Sequence, residues 1–253
     1  MDENIKKVLR PFFYWIEARY YNFMEILFPS KITDAKKIPI IINNRNRITY
    51  LLQLTGSLEK RGYTNIYIID NNSSYPPLIE YYKSCPYNVF RLDKNVGYLA
   101  LWKTGIYKTF IKDYYVYTDS DVVPIDECPD DFMEFFLKTI KKYKSVEKVG
   151  FSMKIDDLPD SFSKKDKVIE WEKKFYEKKL DEHLYLAPID TTFALYRPFM
   201  NKDVIHCHQT FRTAYPYSAR HLPWYTDDLN LSEEDEYYNK NSFTQTHWTK
   251  LNK

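Results

Sequence analysis

Short apolar runs and helical stripes alternate along most of this chain. IPIIIN (38–43) is β-branched and continuous, as for a strand buried on both faces. Ile48 to Arg61 follows with Leu51, Leu52, Leu54 and Leu58 in a helical stripe, and Gly62 stops it. The alternation continues with NIYIID (65–70) as a strand, NNSSYPP (71–77) as a loop and Leu78 to Ser84 as a short helix. YNVFRL (87–92) predicts a third strand, Gly97 to Phe110 a helix, and YYVYTD (114–119) a fourth strand. Asp131 to Tyr143 predicts a helix with Phe132, Phe135, Phe136 and Ile140 on one face, and KVGFSM (148–153) another strand. Beyond Met153 the rhythm weakens. Lys164 to Lys179 predicts a charged helix with Val168, Trp171 and Phe175 at core spacing. Tyr185 to Tyr196 reads as two short strands around a turn, and the chain from His206 is rich in aromatics, His and Pro.

This β-α-β-α-β-α-β order predicts an α/β fold with a mainly parallel sheet covered on both faces. Ligands of such sheets bind beyond the carboxyl ends of the strands. The groups to examine are therefore Asn43-Asn44-Arg45, Asp70-Asn71-Asn72, Asp93-Lys94-Asn95 and Asp119-Ser120-Asp121. No repeat or low-complexity linker divides the chain, so residues 38–253 read as one domain behind an extension of residues 1–37.

Within that extension, Pro11 to Leu27 carries Phe12, Ile16, Tyr20, Phe23 and Leu27 at helical spacing. Pro11 suits the first turn of that helix. Two readings stand open. The helix packs on the main domain, or residues 11–28 place aromatics at a membrane surface as a peripheral contact.

Composition narrows the classes. The 253 residues hold 37 Lys plus Arg against 35 Asp plus Glu, a net charge of +2. So balanced a chain lacks the basic excess of a nucleic-acid-binding surface, and no nucleic-acid partner is expected. At 44% hydrophobic it has material for a core. Only 5 residues are Gly, and no Gly-rich phosphate loop is present. Cys85, Cys128 and Cys207 are odd in number and far apart, as in a reducing compartment. No secretory signal and no apolar run of about 18 residues is visible. The chain reads as cytoplasmic and soluble, or peripheral to a membrane.

A protein so poor in Gly must hold phosphates by other means. Asp119-Ser120-Asp121 closes an apolar strand, which puts two carboxylates at a strand end. Mn²⁺ or Mg²⁺ prefers such oxygens, and either ion could bridge two phosphates and neutralise a diphosphate leaving group. The bland alternative is a turn whose Asp side chains cap backbone N–H groups.

PIIINNRNR (39–47), YIIDNNSSYPP (67–77), LDKNVGYLALW (92–102) and YTDSDVVP (117–124) occur in the order found in GT-A fold glycosyltransferases. Together the segments resemble the inverting family-two type over residues 38–228. The resemblance implies a nucleotide-binding half, residues 38–124, and an acceptor half, residues 125–253. It places Asn43, Arg45, Asp70, Asn71, Asn95 and Gly97 near the nucleotide. Asp119 would face the donor ribose or the metal, Ser120 would lie with the nucleotide contacts, and Asp121 would ligate the metal. It favours a UDP-sugar donor and a saccharide acceptor in surface glycan or glycoconjugate synthesis.

The same resemblance implies a carboxylate base for the acceptor hydroxyl, and Asp190 in PIDTTFALYR (188–197) matches best by position. Its apolar neighbours suggest partial burial and a raised pKa. Asp156, Asp157, Glu170 and Glu172 compete for the role. Several GT-A enzymes add a C-terminal His to the metal site. Here His221 in RHLPWY (220–225) is favoured, with His208 next and His206 and His247 behind. Arg220 beside it would serve the diphosphate. Two alternatives remain at this level, a sugar-phosphate nucleotidyltransferase and a non-catalytic carbohydrate-binding protein.

Overall fold

The computed structural model describes residues 3–241 apart from 191, 201, 204–205, 208 and 228–229, and it describes no side chain of residues 3–8 or 10. Thr191, His208 and His247 lie outside the described residues. The chain opens with helix α1 (Glu3–Leu27). The alternating part comprises β1 (Ile40–Asn44), α2 (Ile48–Lys60), β2 (Ile66–Asp70), α3 (Pro76–Tyr82), β3 (Asn88–Arg91), α4 (Ala100–Lys103) and β4 (Tyr115–Asp119). Then come β5 (Val122–Pro124), α5 (Phe132–Lys142), β6 (Lys148–Gly150), β7 (Ser152–Met153) and α6 (Lys165–Lys173). The last elements are β8 (Lys179–Asp181), β9 (Leu184–Leu186), β10 (Ala194–Tyr196), β11 (Thr210–Thr213), β12 (Ser218–His221) and α7 (Glu233–Lys240).

A nine-stranded sheet runs β3-β2-β1-β4-β10-β6-β11-β9-β8. Strands β1 to β4 are parallel, and β10 enters antiparallel between β4 and β6. Alternate residues of each strand serve opposite faces, which is why the strands read as unbroken apolar runs. Ile40, Ile42, Ile68, Val116 and Leu195 join Leu51, Leu54, Phe132 and Phe136 on one face. Ile41, Ile69, Tyr115, Tyr117 and Tyr196 join Leu101 and Tyr21 on the other. The expected mainly parallel α/β sheet is therefore the one observed.

Three local expectations are corrected. The α1 helix starts at Glu3, so Pro11 lies inside it rather than in its first turn; the ring costs one N–H donor without ending the helix. The helix expected over 97–110 is broken into α4 and a 3-10 turn (Ile106–Thr109), because Gly105 between them adopts φ 77°. The strand expected over 148–153 is two strands in two sheets. β6 stays in the large sheet, and β7 joins a small one ordered β5-β12-β7.

That switch of sheets depends on Gly150. A Cβ there would stand 2.5 Å from the Phe193 carbonyl oxygen and 2.8 Å from Ala194 Cβ. No L side chain fits without moving β10 away from β6. Gly150→Ala is expected to destabilise the protein by about 2–3 kcal/mol, the cost of overpacking a rigid contact. A urea midpoint unchanged by this substitution would show that β10 and β6 are not so tightly opposed.

Candidate active site

Register determines what meets at the carboxyl edge. Asn43 of β1 stands opposite Asp119 of β4. The Asn43 Nδ2 donates to Asp119 Oδ1 at 3.1 Å, and the Ser120 N–H donates to the Asn43 carbonyl at 3.2 Å. Asp119 is thereby aimed by its neighbour, while Ser120 is buried with its N–H used in the backbone. One residue on, the chain leaves for the small sheet. There β12 pairs antiparallel with β5, putting His221 opposite Val122. The Leu222 N–H donates to the Asp121 carbonyl at 2.8 Å. This pairing carries His221 across a hundred residues of sequence to Asp121, with Nε2 3.5 Å from Oδ2. The imidazole also packs edge-on against Trp224, with ring centroids 4.7 Å apart.

Burial alone would push the Asp121 carboxyl up, but the facing His221, helped by Arg47, holds it below the usual carboxylate range. Burial likewise works against the His221 charge, and Asp121, then Asp119, overcomes it and raises the imidazole pKa. Both side chains keep about a quarter of their surface open, 24% for Asp121 and 22% for His221, so a ligand can reach them. Yet Asp121 Oδ1, His221 Nδ1 and Asn43 Oδ1 are buried without hydrogen-bond partners. Unsatisfied lone pairs beside carboxylates are what a divalent cation relieves. Among the described residues no three His, Cys, Asp or Glu side chains converge as a ready-made metal site. Mg²⁺-type sites commonly take only one or two protein carboxylates and draw the rest from substrate phosphates and water. Asp121 and His221, with Asp119 held by Asn43 at the adjoining strand end, are the side chains that could contribute to such a site.

The other residues singled out from sequence fall into different roles. Asp70 is fully buried, with one oxygen accepting from Ser73 N–H and the other facing Arg91 Nε, each at 3.1 Å. Asn71 accepts from Val96 N–H at 2.8 Å and donates to the Gly97 carbonyl at 2.9 Å. Asn95 accepts from Gly97 N–H at 2.9 Å, and Gly97 takes φ 79° in open space. These residues tie the loops after β2 and β3 together. Arg45 donates to the Asn241 carbonyl at 2.9 Å. Arg220 is paired with Asp157 through Nη2 at 2.6 Å, and Tyr225 donates to the same carboxylate. His206 stands on the surface, bonded to Asp203.

Asp190 is exposed, against the expectation of partial burial. Ile189 before it is buried and its carbonyl accepts from Lys148 Nζ at 2.7 Å, so Asp190 comes out beside Lys148, whose charge it favours. Of its competitors, Glu172 is buried against Arg212 at 2.6 Å, Asp157 is held by Arg220, Asp156 faces Lys154 at 2.8 Å, and Glu170 lies on an exposed helix face.

Sequence reasoning missed α7 and what it grips. Glu234 Oε2 accepts from Ile48 N–H at 3.1 Å, Thr49 N–H at 3.0 Å and the Thr49 hydroxyl at 3.1 Å. It caps α2 from nearly two hundred residues away, where the local cap residue Arg47 offers no side-chain bond. Arg47 instead pairs with Asp235 and stacks between Tyr50 and Tyr238, 4.9 and 4.0 Å from the ring centroids. Burial raises the Tyr238 phenol, Arg47 opposes it, and Asp121 and Asp119 reinforce it. The legible signal was the capping pattern Ser232-x-x-Asp235, which the structure completes in both directions.

The family described as Glycosyl transferase family 2 matches residues 40–205. Solved structures that resemble the chain include S. aureus TarS 1-349, at 13% identity over 73% of this chain and 60% of that one, with a TM-score of 0.43. Another is GalNAc-T7 with UDP, GalNAc and Mn²⁺, at 13% identity over 73% of this chain and 43% of that one, with a TM-score of 0.44. The chain thus spans less than two thirds of the length of either. No curated protein matches the sequence.

Loss of the long-range cap has a direct readout. Glu234→Ala is expected to lower stability by about 1–2 kcal/mol, as for the loss of an N-cap. Denaturant titration measures it; a shift near zero would mean that water replaces the carboxylate at no cost.

Proposed function

The chain belongs to glycosyl transferase family 2 and is a glycosyltransferase, and from that premise we propose that it moves a sugar from a nucleoside-diphosphate sugar, UDP favoured, to a saccharide acceptor. Membership of this family displaces the nucleotidyltransferase and carbohydrate-binding alternatives. The observation that carries the donor half of the reading is the Asp121–His221 pair at 3.5 Å beside Asp119, with buried lone pairs left over. Mn²⁺ or Mg²⁺ held by Asp119, Asp121 and His221 would supply the positive charge that a departing diphosphate needs. Asn43 orients Asp119 for that task.

Arg47 lies near enough to depress the Asp121 pKa, so it adds a fixed cation to the same edge. Tyr50 and Tyr238 on either side of it give flat, half-apolar walls of the kind that line sugar and base pockets. For an inverting transfer, the acceptor oxygen attacks the anomeric carbon as the bond from that carbon to the diphosphate oxygen breaks. The hydroxyl proton passes to a carboxylate. Asp190 is our choice for this base, supported by its exposure and by its position in the family pattern. The free state of Cys85, Cys128 and Cys207 supports a reducing, cytoplasmic setting.

Release of UDP from a panel of UDP-sugars tests the reading. Asp121→Asn is expected to cut turnover by at least about a hundredfold, the scale of a lost electrostatic contact in a transition state, with the melting midpoint little changed. Full turnover by the folded variant would remove Asp121 from the site. Asp190→Asn is expected to slow transfer and leave nucleotide affinity intact; lost nucleotide binding would assign Asp190 to the donor instead.

A further inference from the structure

Helix α1 is amphipathic the wrong way round for a helix packed on a domain. Its inward face carries the charges. Glu25 meets the fully buried Arg197 at 2.5 Å, accepts from the Tyr114 hydroxyl and lies 3.7 Å from Lys144. Glu17 meets Lys202 at 2.6 Å. Tyr21 alone of the aromatics on this helix is buried. The outward face is apolar. Phe12, Trp15, Tyr20 and Phe23 are each at least half exposed, and Ile26 is 78% exposed. From Pro11 to the end of the helix the one fully exposed charge is Arg19, stacked on Trp15 at 5.3 Å.

A run of exposed aromatics and aliphatics of this kind marks a surface that is covered in use. Its geometry is that of a helix lying along something rather than through it, since no described helix is long and apolar enough to cross a membrane. Charge chooses the partner. Glu17 and Glu25 are turned inward and paired with Lys202, Arg197 and Lys144. Beside its carboxyl-terminal half lie the exposed Lys141 and Lys142, from the last turn of α5, and Lys144 just beyond it. An apolar ridge of Trp, Tyr and Phe bordered by exposed lysines complements an anionic lipid surface, where aromatic rings sit at headgroup depth and cations meet phosphates.

We propose that α1 lies in the headgroup region of an anionic bilayer and holds the protein there through Phe12, Trp15, Tyr20, Phe23 and Ile26. The contacts that fix the helix lie at the amino ends of the parallel strands, as Asp113 to Ser30 and Glu147 to Lys202 show. The acidic pair lies at the opposite, carboxyl edge. Anchoring therefore leaves the donor site open, and the proposal stands apart from the assignment of that site.

Co-sedimentation of the full chain with phosphatidylcholine vesicles, with and without phosphatidylglycerol, tests it. The protein is expected to pellet with the anionic vesicles. The combined variant Trp15→Ser, Phe23→Ser and Ile26→Ser is expected to lose at least about tenfold in partitioning, since each side chain gives up its apolar burial in the bilayer. Its melting midpoint and nucleotide affinity should change little, because these side chains are each more than half exposed in the folded protein. Failure of the wild type to pellet, or equal pelleting of the variant, overturns the proposal. So does light scattering that shows a wild-type dimer which the same substitutions turn into monomer, for then a second copy covers the helix.

Discussion

The parallel register of β1 on β4 is the constraint from which the site follows. It sets Asn43 opposite Asp119, so one side-chain amide aims one carboxylate. It also ends β4 at a point where the chain can turn out of the large sheet and enter the small one. The antiparallel pairing of β5 with β12 then delivers His221 to Asp121. Each step is backbone hydrogen bonding, which is directional and satisfied on both partners. The side chains that could hold a metal are therefore placed by strands and not by flexible loops.

Electrostatics at this edge is a contest that burial does not win. Desolvation opposes charge on both Asp121 and His221, and each favours the charged form of the other from 3.5 Å away. Arg47 joins them from the β1–α2 turn, itself clamped by Asp235 and two tyrosines. The arrangement explains how a chain with 5 Gly manages without a glycine loop. Phosphate oxygens would be met by a cation on carboxylates and by an arginine, where a glycine loop would offer bare N–H groups.

Much of this was legible in the residues. The strands announced themselves because both faces are buried, so Ile40 to Ile42 and Tyr115 to Tyr117 carry no polar interruption. The place of Asp119 and Asp121 just after such a run was legible too, and Asp119 does end β4. What could not be read was the use of side chains whose partners are distant. Asp70 and Asn71 follow a strand as ligand contacts would, and only the fold shows them set against Arg91 and Val96 from the next strand and loop. The α7 helix left only its capping pattern in the sequence, and only the fold shows Glu234 capping α2. Asp190 was expected to be sheltered by its apolar neighbours, but Ile189 points inward and Asp190 out, as alternation along an extended segment requires.

The account turns on a metal ion held by the acidic pair as the means of binding phosphate. Calorimetric titration of UDP into the protein, once with Mn²⁺ and once with a chelator, tests it most directly. The account predicts that chelation weakens UDP binding by at least about tenfold, the loss of a single favourable charge contact. Equal affinity in the two titrations would contradict it.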